Sequence, residues 1–412
     1  MGPLMPLITE RSRHLLRTAT VCLLVGDLVA QVARGVWNMA AGPAITVDWI
    51  PFAAAARLLS HGSSSLYCAA PLAASEAAYL GHPLPRAVGH VLVLNSLPSG
   101  AAYAPFLNPP PAAALLVPLA ALPPSLGFLI FAALSVAAMA VAYQLLATRL
   151  DCPRFATLCA VVAVPGVLGL ALGQWDALLT LALVLGLWAA RRHPLLAGLA
   201  LSLLIVKPQS LWLVPVGLLV LRQFRVLLGL AFGLLLWLVA SLAIVGPSEF
   251  VAWLSAMIGA GSGQLSITFG LPGLVGVAAG SRAGYVALAI GTAIVAVTAL
   301  LLRERLRARP ELTVAVFVCL SLVLSPHVLA PDFVLLAPAL ALSARWRRGP
   351  SVAASVVLSV AFLPDLNLGS PNVLLGFVAI AAATLAAVAA LGGRSATPKP
   401  STPVAATLGV AP

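Results

Sequence analysis

Long apolar segments recur along the whole chain, separated by short loops that carry arginine. Several of these segments reach about 20 mostly apolar residues, the length that an α-helix needs to cross a bilayer. Among the 412 residues, 61% are hydrophobic and only 8% are charged, and the mean hydropathy is +1.07. The sequence therefore predicts an all-α, polytopic membrane protein of the cell membrane.

The basic residues indicate how the chain crosses the membrane. Although the net charge is +12, the 23 Lys and Arg residues occur in short clusters without a basic domain, so no nucleic-acid partner is expected. Short basic loops stay on the cytoplasmic side. About twelve transmembrane helices with both termini cytoplasmic place all but five of these residues inside. The exceptions are Arg34, Arg57, Arg86, Lys207 and Arg282.

The predicted segments include several that are too short to cross a bilayer as straight helices. A pass of 13 residues reaches about 20 Å at 1.5 Å per residue, whereas the hydrocarbon core is about 30 Å thick. We therefore expect broken or re-entrant helices whose outward turns lie in a protein-lined cavity. The twelve segments are 15–36, 125–147, 155–173, 174–190, 194–206, 209–221, 226–246, 283–302, 311–325, 330–343, 351–363 and 371–391.

The remaining regions fit one transmembrane domain, 1–391, followed by a disordered cytoplasmic tail, 392–412, rich in Ser, Thr and Pro. An outer loop, 37–124, is expected to hold juxtamembrane helices, with 49–59 along the membrane interface and Trp49 as its anchor. The apolar stretch 109–122 is expected to be re-entrant or juxtamembrane; if it spans, later segments change sides. A second outer loop, 246–270, is expected to cover the same cavity.

Lys207 lies in the middle of 194–221, a stretch of 28 mostly apolar residues. A lone ammonium at membrane depth costs a few kcal/mol, so it persists where an anion or a water-filled cavity receives it. Snorkelling to the interface, or pairing with a nearby aspartate, is the alternative. Pro208 favours a helix break with the ammonium in the cavity.

Other polar residues fall in the outward turns beside Lys207, or in the outer loop. Each has a second interpretation: Asp48 as a solvated loop carboxylate, Asp176 as a helix N-cap, and His327 as a packed turn histidine. Asp332 is expected either to orient His327 or to pair with Lys207. The outward turns contain Gln174, Asp176, Lys207, Gln209, His327, Asp332, Asp365 and Asn367.

A carboxylate, a histidine and a lysine in one outer cavity suit transfer from an anionic lipid. The lysine neutralises a departing phosphate while the carboxylate accepts a proton from the attacking hydroxyl. No phosphate-binding glycine loop, zinc-type cluster or nucleophile elbow is present, and the five cysteines show no paired spacing. No cofactor or metal site is predicted, and a role for a divalent metal stays open.

Several short motifs occur in a fixed order along the chain. They are Asp48-Trp49, Leu58-Leu59-Ser60-His61-Gly62, Leu66-Tyr67, Asn108-Pro109-Pro110-Pro111, Leu122-Pro123, Gly173-Gln174-Trp175-Asp176, Leu196-Ala197-Gly198-Leu199, Val206-Lys207-Pro208-Gln209, and Ser325-Pro326-His327 followed by Asp332. Taken together, they resemble glycosyltransferase family 87 over roughly residues 15–345. Two departures concern acceptor recognition: Asn108 stands where the family usually has an aromatic residue, and Pro331 where it commonly has tyrosine.

The resemblance implies an inverting membrane glycosyltransferase of the C-type (GT-C) fold that takes a sugar from a polyprenyl-phosphate donor on the outer face. A hexose such as mannose, a lipid or glycan acceptor, and contact with membrane lipids are expected. Asp48 would be the general base, with His327 assisting in proton transfer or phosphate contact. Lys207 would lie near the donor phosphate, and the expected substrate-binding residues are Lys207, Gln174, Asp176, Gln209, Asp332 and Asn108.

The alternative is a multi-pass transporter or lipid flippase, in which the same charges form a permeation path. Transporters often contain internal repeats, and none is evident in this sequence. A long outer loop with an acidic residue near its start also favours an enzyme.

Overall fold

The computed structural model describes residues 26, 29, 30, 33, 48–84, 95–96, 102–263, 268–367 and 373–392, with the backbone alone at 95–96, 102, 259–263 and 363–367. Apart from four isolated helical residues, the predicted first helix, 15–36, lies outside this description. So do residues 393–412 of the predicted tail. The described chain is helical except for one short antiparallel pair, in which Asn95 faces Tyr103 and Ser96 faces Ala102.

Helices follow one another with short connections. Three 3-10 segments, Leu203–Val206, Pro208–Ser210 and Ala330–Leu336, interrupt the α-helical run. The strands are β1 (Asn95–Ser96) and β2 (Ala102–Tyr103). The α-helices are α1 (Trp49–Ser60), α2 (Ala69–Leu80), α3 (Pro110–Ala120), α4 (Pro124–Thr148), α5 (Arg154–Val161), α6 (Val164–Leu172), α7 (Asp176–Ala189), α8 (Pro194–Ser202), α9 (Val214–Val220), α10 (Phe224–Gly263), α11 (Leu271–Ala279), α12 (Ser281–Leu301), α13 (Arg303–Arg307), α14 (Pro310–Val323), α15 (Ala337–Ser343), α16 (Arg348–Asn367) and α17 (Val373–Gly392).

Four described helices are long and apolar enough to cross a membrane: α4, α12, α17 and the Phe224–Ile258 part of α10. Helices α5 and α6 meet at a 44° bend and make a fifth span if counted together. The other apolar helices are shorter, and many leucine and valine side chains on the long helices are exposed. This combination of exposed apolar faces and helical structure is that of a membrane-integral protein.

The short passes are broken where the sequence places proline. Lys207 has φ −126° and ψ 84°, an extended conformation imposed by the following Pro208, and 3-10 turns lie on both sides of it. The predicted break at Lys207 is therefore present. The predicted continuous segment 155–173 is instead two helices, because the chain bends before α6 with Pro165 in its first turn.

Two segments predicted as loops are largely helical. Of the predicted loop 246–270, the described part up to Gly263 leaves helical geometry at Gly246 (φ 79°, ψ 172°) and then resumes a helix that continues to Gly263. The expected outward turn at Asp365 and Asn367 is instead the last part of α16. Gln264 of the predicted loop lies outside the described residues.

Helix α1 is buried inside the protein rather than lying along the lipid interface. Its residues from Trp49 to Ala56 are all buried, and it packs against α2 and α3. The Trp49 ring lies 5.1 Å from that of Phe131, and its Nε1 donates to the Tyr79 hydroxyl at 3.0 Å. The prediction of an interfacial anchor was wrong, since small alanine side chains let neighbouring helices enclose this segment.

Several basic loops contact one another. Arg191 Nε lies 2.6 Å from Glu311 Oε1, which joins the α7–α8 loop to the start of α14. Arg307 Nε donates to the Val220 carbonyl at 2.9 Å. The Arg309 guanidinium lies 4.3 Å from the Trp346 ring centroid. Four predicted cytoplasmic loops are thereby brought to one end of the molecule.

Candidate active site

A cleft of about 840 Å³, counting the space at its mouth, collects most of the predicted site residues. Its apolar wall includes Phe52, Leu107 and Met257. Its polar side chains belong to Asp48, Asn108, Gln174, Lys207, Gln209, His327 and Asp332. Asp176 is the one predicted site residue that does not line the cleft, and it is fully buried behind it.

Asp48 immediately precedes α1 and is fixed by the burial of Trp49 beside it. Its carboxylate is half-buried, and Oδ2 accepts a hydrogen bond from Gln174 Nε2. Removal from water raises the pKa of Asp48 to about 6; the Gln174 amide and the charge of Lys207 oppose this rise, and Asp332 adds to it. A carboxylate with such a pKa is ionised at neutral pH yet is a better proton acceptor than an ordinary aspartate.

Gln174 is directed toward Asp48 by the turn that ends α6. Gly173 adopts φ +76°, its N–H donates to the Leu170 carbonyl at 3.3 Å, and the Gln174 N–H donates to the Gly169 carbonyl at 2.8 Å. These two bonds form a Schellman motif, which requires a residue that tolerates positive φ. The turn therefore closes one helix and presents the Gln174 side chain to the cleft.

Lys207 is held between two carboxylates. Its Nζ lies 2.8 Å from Asp176 Oδ2 and 2.5 Å from Asp332 Oδ1, and the three residues are 8%, 0% and 1% exposed, respectively. The pairs join the helix break to the start of α7 and to the 3-10 segment Ala330–Leu336. Of the alternatives for Lys207, pairing with aspartate is thus present, although Lys207 still lines the cleft.

The geometry also decides the alternatives for two aspartates. Asp176 is not an N-cap, since Trp175 occupies that position and Asp176 lies in the first turn of α7. Asp332 does not orient His327, because Oδ1 binds Lys207 and Oδ2 accepts the Leu329 N–H at 2.8 Å. Its second bond caps the 3-10 segment that carries it.

His327 is held through its backbone rather than through its ring. Ser325 Oγ accepts the His327 N–H at 3.0 Å and donates to the His327 carbonyl at 2.9 Å. The ring lines the cleft, and within the described chain its buried Nδ1 has no hydrogen-bond partner. Because the ring lines the cleft, it lies where a ligand can contact it.

Asn108 and Gln209 flank the Lys207 turn. Asn108 Nδ2 donates to the Val206 carbonyl at 2.8 Å, and the Asn108 carbonyl accepts the Tyr67 hydroxyl at 2.7 Å. Asn108 thereby ties the outer segment to the residue before Lys207. Gln209 is half-buried and lines the cleft from the 3-10 turn Pro208–Ser210.

Two contacts that could not be predicted from the sequence hold the cleft wall in place. Trp253, after the kink in α10, donates from Nε1 to the Leu107 carbonyl at 3.0 Å. Glu76 is fully buried, and its two carboxylate oxygens accept the Ala104 N–H at 3.1 and 3.2 Å. The only sequence signal for Glu76 was an isolated acid in an alanine-rich stretch.

Among the residues that the structure describes, no three His, Cys, Asp or Glu side chains lie close enough together to hold a metal ion. The cleft instead combines one ammonium, one imidazole and two lining carboxylates. These groups can accept a proton and contact an anion within the same cavity.

A cleft that combines an apolar wall with a few convergent polar side chains has the usual form of a small-molecule binding site. The family model of glycosyltransferase family 87 matches residues 106–326. Because this range is more than half of the chain, the protein belongs to glycosyltransferase family 87, and it is a membrane glycosyltransferase. A search of curated proteins found no match.

The matched range bears on some site residues more than others. It contains Asn108, Gln174 and Lys207 but ends just before His327, and Asp48 precedes it. The resemblance seen in the sequence is thus confirmed at the level of the family. Because Asp48 lies outside the matched range, a role for Asp48 is supported by its place in the cleft.

Proposed function

We propose that the protein transfers a hexose, such as mannose, from a polyprenyl-phosphate donor to a hydroxyl of a lipid or glycan acceptor. The observation that carries the proposal is that Asp48, Lys207 and His327 line one cleft, with Asp48 already bound by Gln174. A proton acceptor and an anion-binding pair in one cavity are the groups that such a transfer needs.

The charge of the cleft favours a lipid phosphodiester over a nucleotide diphosphate donor. Lys207 is the only Lys or Arg among the described lining residues, and the two carboxylates that contact it carry more charge than it can neutralise. A phosphodiester carries one negative charge, whereas a diphosphate diester carries two. An ammonium has three N–H groups. Two of those on Lys207 are directed to Asp176 and Asp332, so one remains for a phosphate oxygen of the sugar donor.

In the proposed reaction Asp48 takes the proton of the acceptor hydroxyl while the oxygen of that hydroxyl attacks the anomeric carbon of the sugar. The bond from that carbon to the phosphate oxygen breaks, and its electron pair leaves with the polyprenyl phosphate. Attack from the face opposite the phosphate inverts the anomeric configuration. Lys207 and His327 contact the departing phosphate, which stabilises the charge that develops there.

We further propose the C-type glycosyltransferase fold, with about twelve transmembrane segments, cytoplasmic termini and the cleft on the outer face. The contacts among the basic loops support this arrangement, since short basic loops stay in the cytoplasm. Native Cys68, which is exposed in the outer segment, offers a test by labelling intact cells with a membrane-impermeant maleimide. We expect labelling of wild type and none of Cys68→Ser. If Arg348→Cys is labelled at residue 348 and Cys68 is not, the orientation is the opposite of the proposed one.

The activity is tested by supplying purified protein with synthetic polyprenyl-phosphate mannose or glucose, or with a nucleotide diphosphate sugar. We expect transfer from the lipid-linked donors and none from the nucleotide sugar. NMR of the product should show that the anomeric configuration is inverted. Transfer from the nucleotide sugar alone would refute the donor assignment. Movement of intact sugar lipid across a vesicle membrane without transfer would favour the transporter alternative.

A further inference from the structure

The backbone at Gln174 is held in place where the side chain meets Asp48. It follows Gly173, whose positive φ and two helix-ending hydrogen bonds fix the direction of the chain. A Cβ at Gly173 would lie 2.9 Å from Trp49 Cβ and 3.2 Å from Phe128 Cε2. The turn therefore packs directly against the residue next to Asp48.

The amide of Gln174 is used asymmetrically. Its Nε2 donates to Asp48 Oδ2, whereas its Oε1 is buried without a hydrogen-bond partner among the described residues. The amide orientation follows from chemistry, because an ionised carboxylate can only accept hydrogen bonds. An unpaired buried carbonyl is destabilising, so the side chain is not optimised for folding alone.

Among the described residues, Gln174 alone donates a hydrogen bond to the Asp48 side chain. Throughout the part of the chain that the structure describes, no other side chain or backbone group donates a hydrogen bond to its carboxylate. Binding of Oδ2 by Gln174 restrains the carboxylate and leaves Oδ1 for another partner. Asp48 and Gln174 both line the cleft, so that partner can be a substrate hydroxyl.

We propose that Gln174 is a positioning residue, which holds Asp48 by one oxygen so that the other is presented to the acceptor hydroxyl. The catalytic part of this inference rests on the proposed function, in which Asp48 is the base. The contact between the two side chains does not. Gln174 was expected to bind substrate, and the two roles predict different measurements.

The test compares wild type with Gln174→Leu, which removes the donor, and Gln174→Glu, which keeps the shape but sets two carboxyl groups together. Gln144→Leu, at an exposed position of α4, is the matched control. Infrared difference titration against Asp48→Asn reports the protonation of Asp48 without requiring activity. Steady-state transfer rates between pH 5 and 9 report kcat and the donor KM.

We expect Asp48 to titrate near pH 6 in wild type and in the control. Loss of a hydrogen bond to a charged group should raise the midpoint by about one pH unit in Gln174→Leu. The rise should be larger in Gln174→Glu, where two carboxyl groups share one proton. At pH 6.5 a rise of one unit lowers the ionised fraction of Asp48 from about 0.76 to about 0.24, so kcat should fall at least about threefold in Gln174→Leu, with the acid limb displaced to higher pH and KM changed less than twofold.

An unchanged Asp48 titration in both variants would overturn the proposal. So would a raised donor KM with unchanged kcat and pH profile, which would make Gln174 a substrate contact. If wild type transfers no sugar from any lipid donor, the proposed function fails; a displaced Asp48 titration would still support the positioning of Asp48 by Gln174. If Gln174→Leu does not fold, the isosteric Gln174→Glu still tests the contact, because a second carboxyl group within hydrogen-bond reach of Asp48 must raise its midpoint.

Discussion

Replacing Lys207 by methionine should destabilise the protein strongly, because the substitution leaves two buried carboxylates without their cation. Nζ lies 2.8 Å from Asp176 and 2.5 Å from Asp332, and neither aspartate is more than 1% exposed. Removing one partner of a buried ion pair costs about 3–5 kcal/mol. Uptake of a proton by the aspartate pair would bring the loss toward the lower end of this range.

The assay is the unfolding free energy in detergent micelles, followed by circular dichroism during denaturant titration. Arg282→Met is the control, since Arg282 is an exposed cation at the start of α12 and its loss should cost less than about 0.5 kcal/mol. Adding Asp176→Asn to Lys207→Met should recover part of the stability, because one of the two uncompensated charges is then absent.

A Lys207→Met protein as stable as the Arg282→Met control, with only a raised donor KM, would refute this reasoning. Lys207 would then serve ligand binding alone, and the two ion pairs would contribute nothing to stability. A double variant less stable than Lys207→Met would also contradict it, since the effect would not come from uncompensated charge.

Three further predictions concern pH and backbone geometry. Transfer should lose activity as the pH falls through about 6, because protonation of Asp48 removes the base; a pH–rate profile without an acid limb near 6 contradicts this. Gly173→Ala should lose about 1–3 kcal/mol of stability and much of the activity. Gly62 is also at positive φ but has open space around it, so Gly62→Ala should lose only the stability that the strained backbone costs; unfolding and transfer assays compare the two variants. Burial raises the pKa of Glu76 from 4.5 to about 8, so its contribution to stability is full below pH 4.5 and is lost as the pH rises to 8; stability against pH should be flatter in Glu76→Gln, and an equal slope in both proteins rules this out.

The break at Lys207 could be predicted from sequence because its cause is local. A proline disfavours helical geometry in the residue before it, and a lysine in an apolar segment marks the same place. The bend before α6 has a weaker signal, since Pro165 is tolerated in the first turn of a helix. The predicted helix end at Gly246 coincides with a break in the helix, but the apolar residues that follow resume a helix instead of the predicted loop.

Contacts between segments that are distant in the sequence could not be predicted from local sequence signals. The apolar stretch after Asp48 suits either a lipid interface or a protein interior, because both accept the same side chains. Likewise, the charges of Asp176 and Asp332 are evident in the sequence, but only the folded chain shows that both meet Lys207. The site residues could be gathered from their place in outward turns, whereas their pairing required the structure.

If Asp48 is the base of the sugar transfer, its replacement by asparagine should lower the initial transfer rate. Wild type and Asp48→Asn are supplied with the same polyprenyl-phosphate hexose and acceptor at pH 7.5. General-base catalysis contributes about 10²–10⁴-fold, so a loss of at least about 100-fold is predicted, with the donor KM little changed. Equal rates in the two proteins would rule out Asp48 as the base.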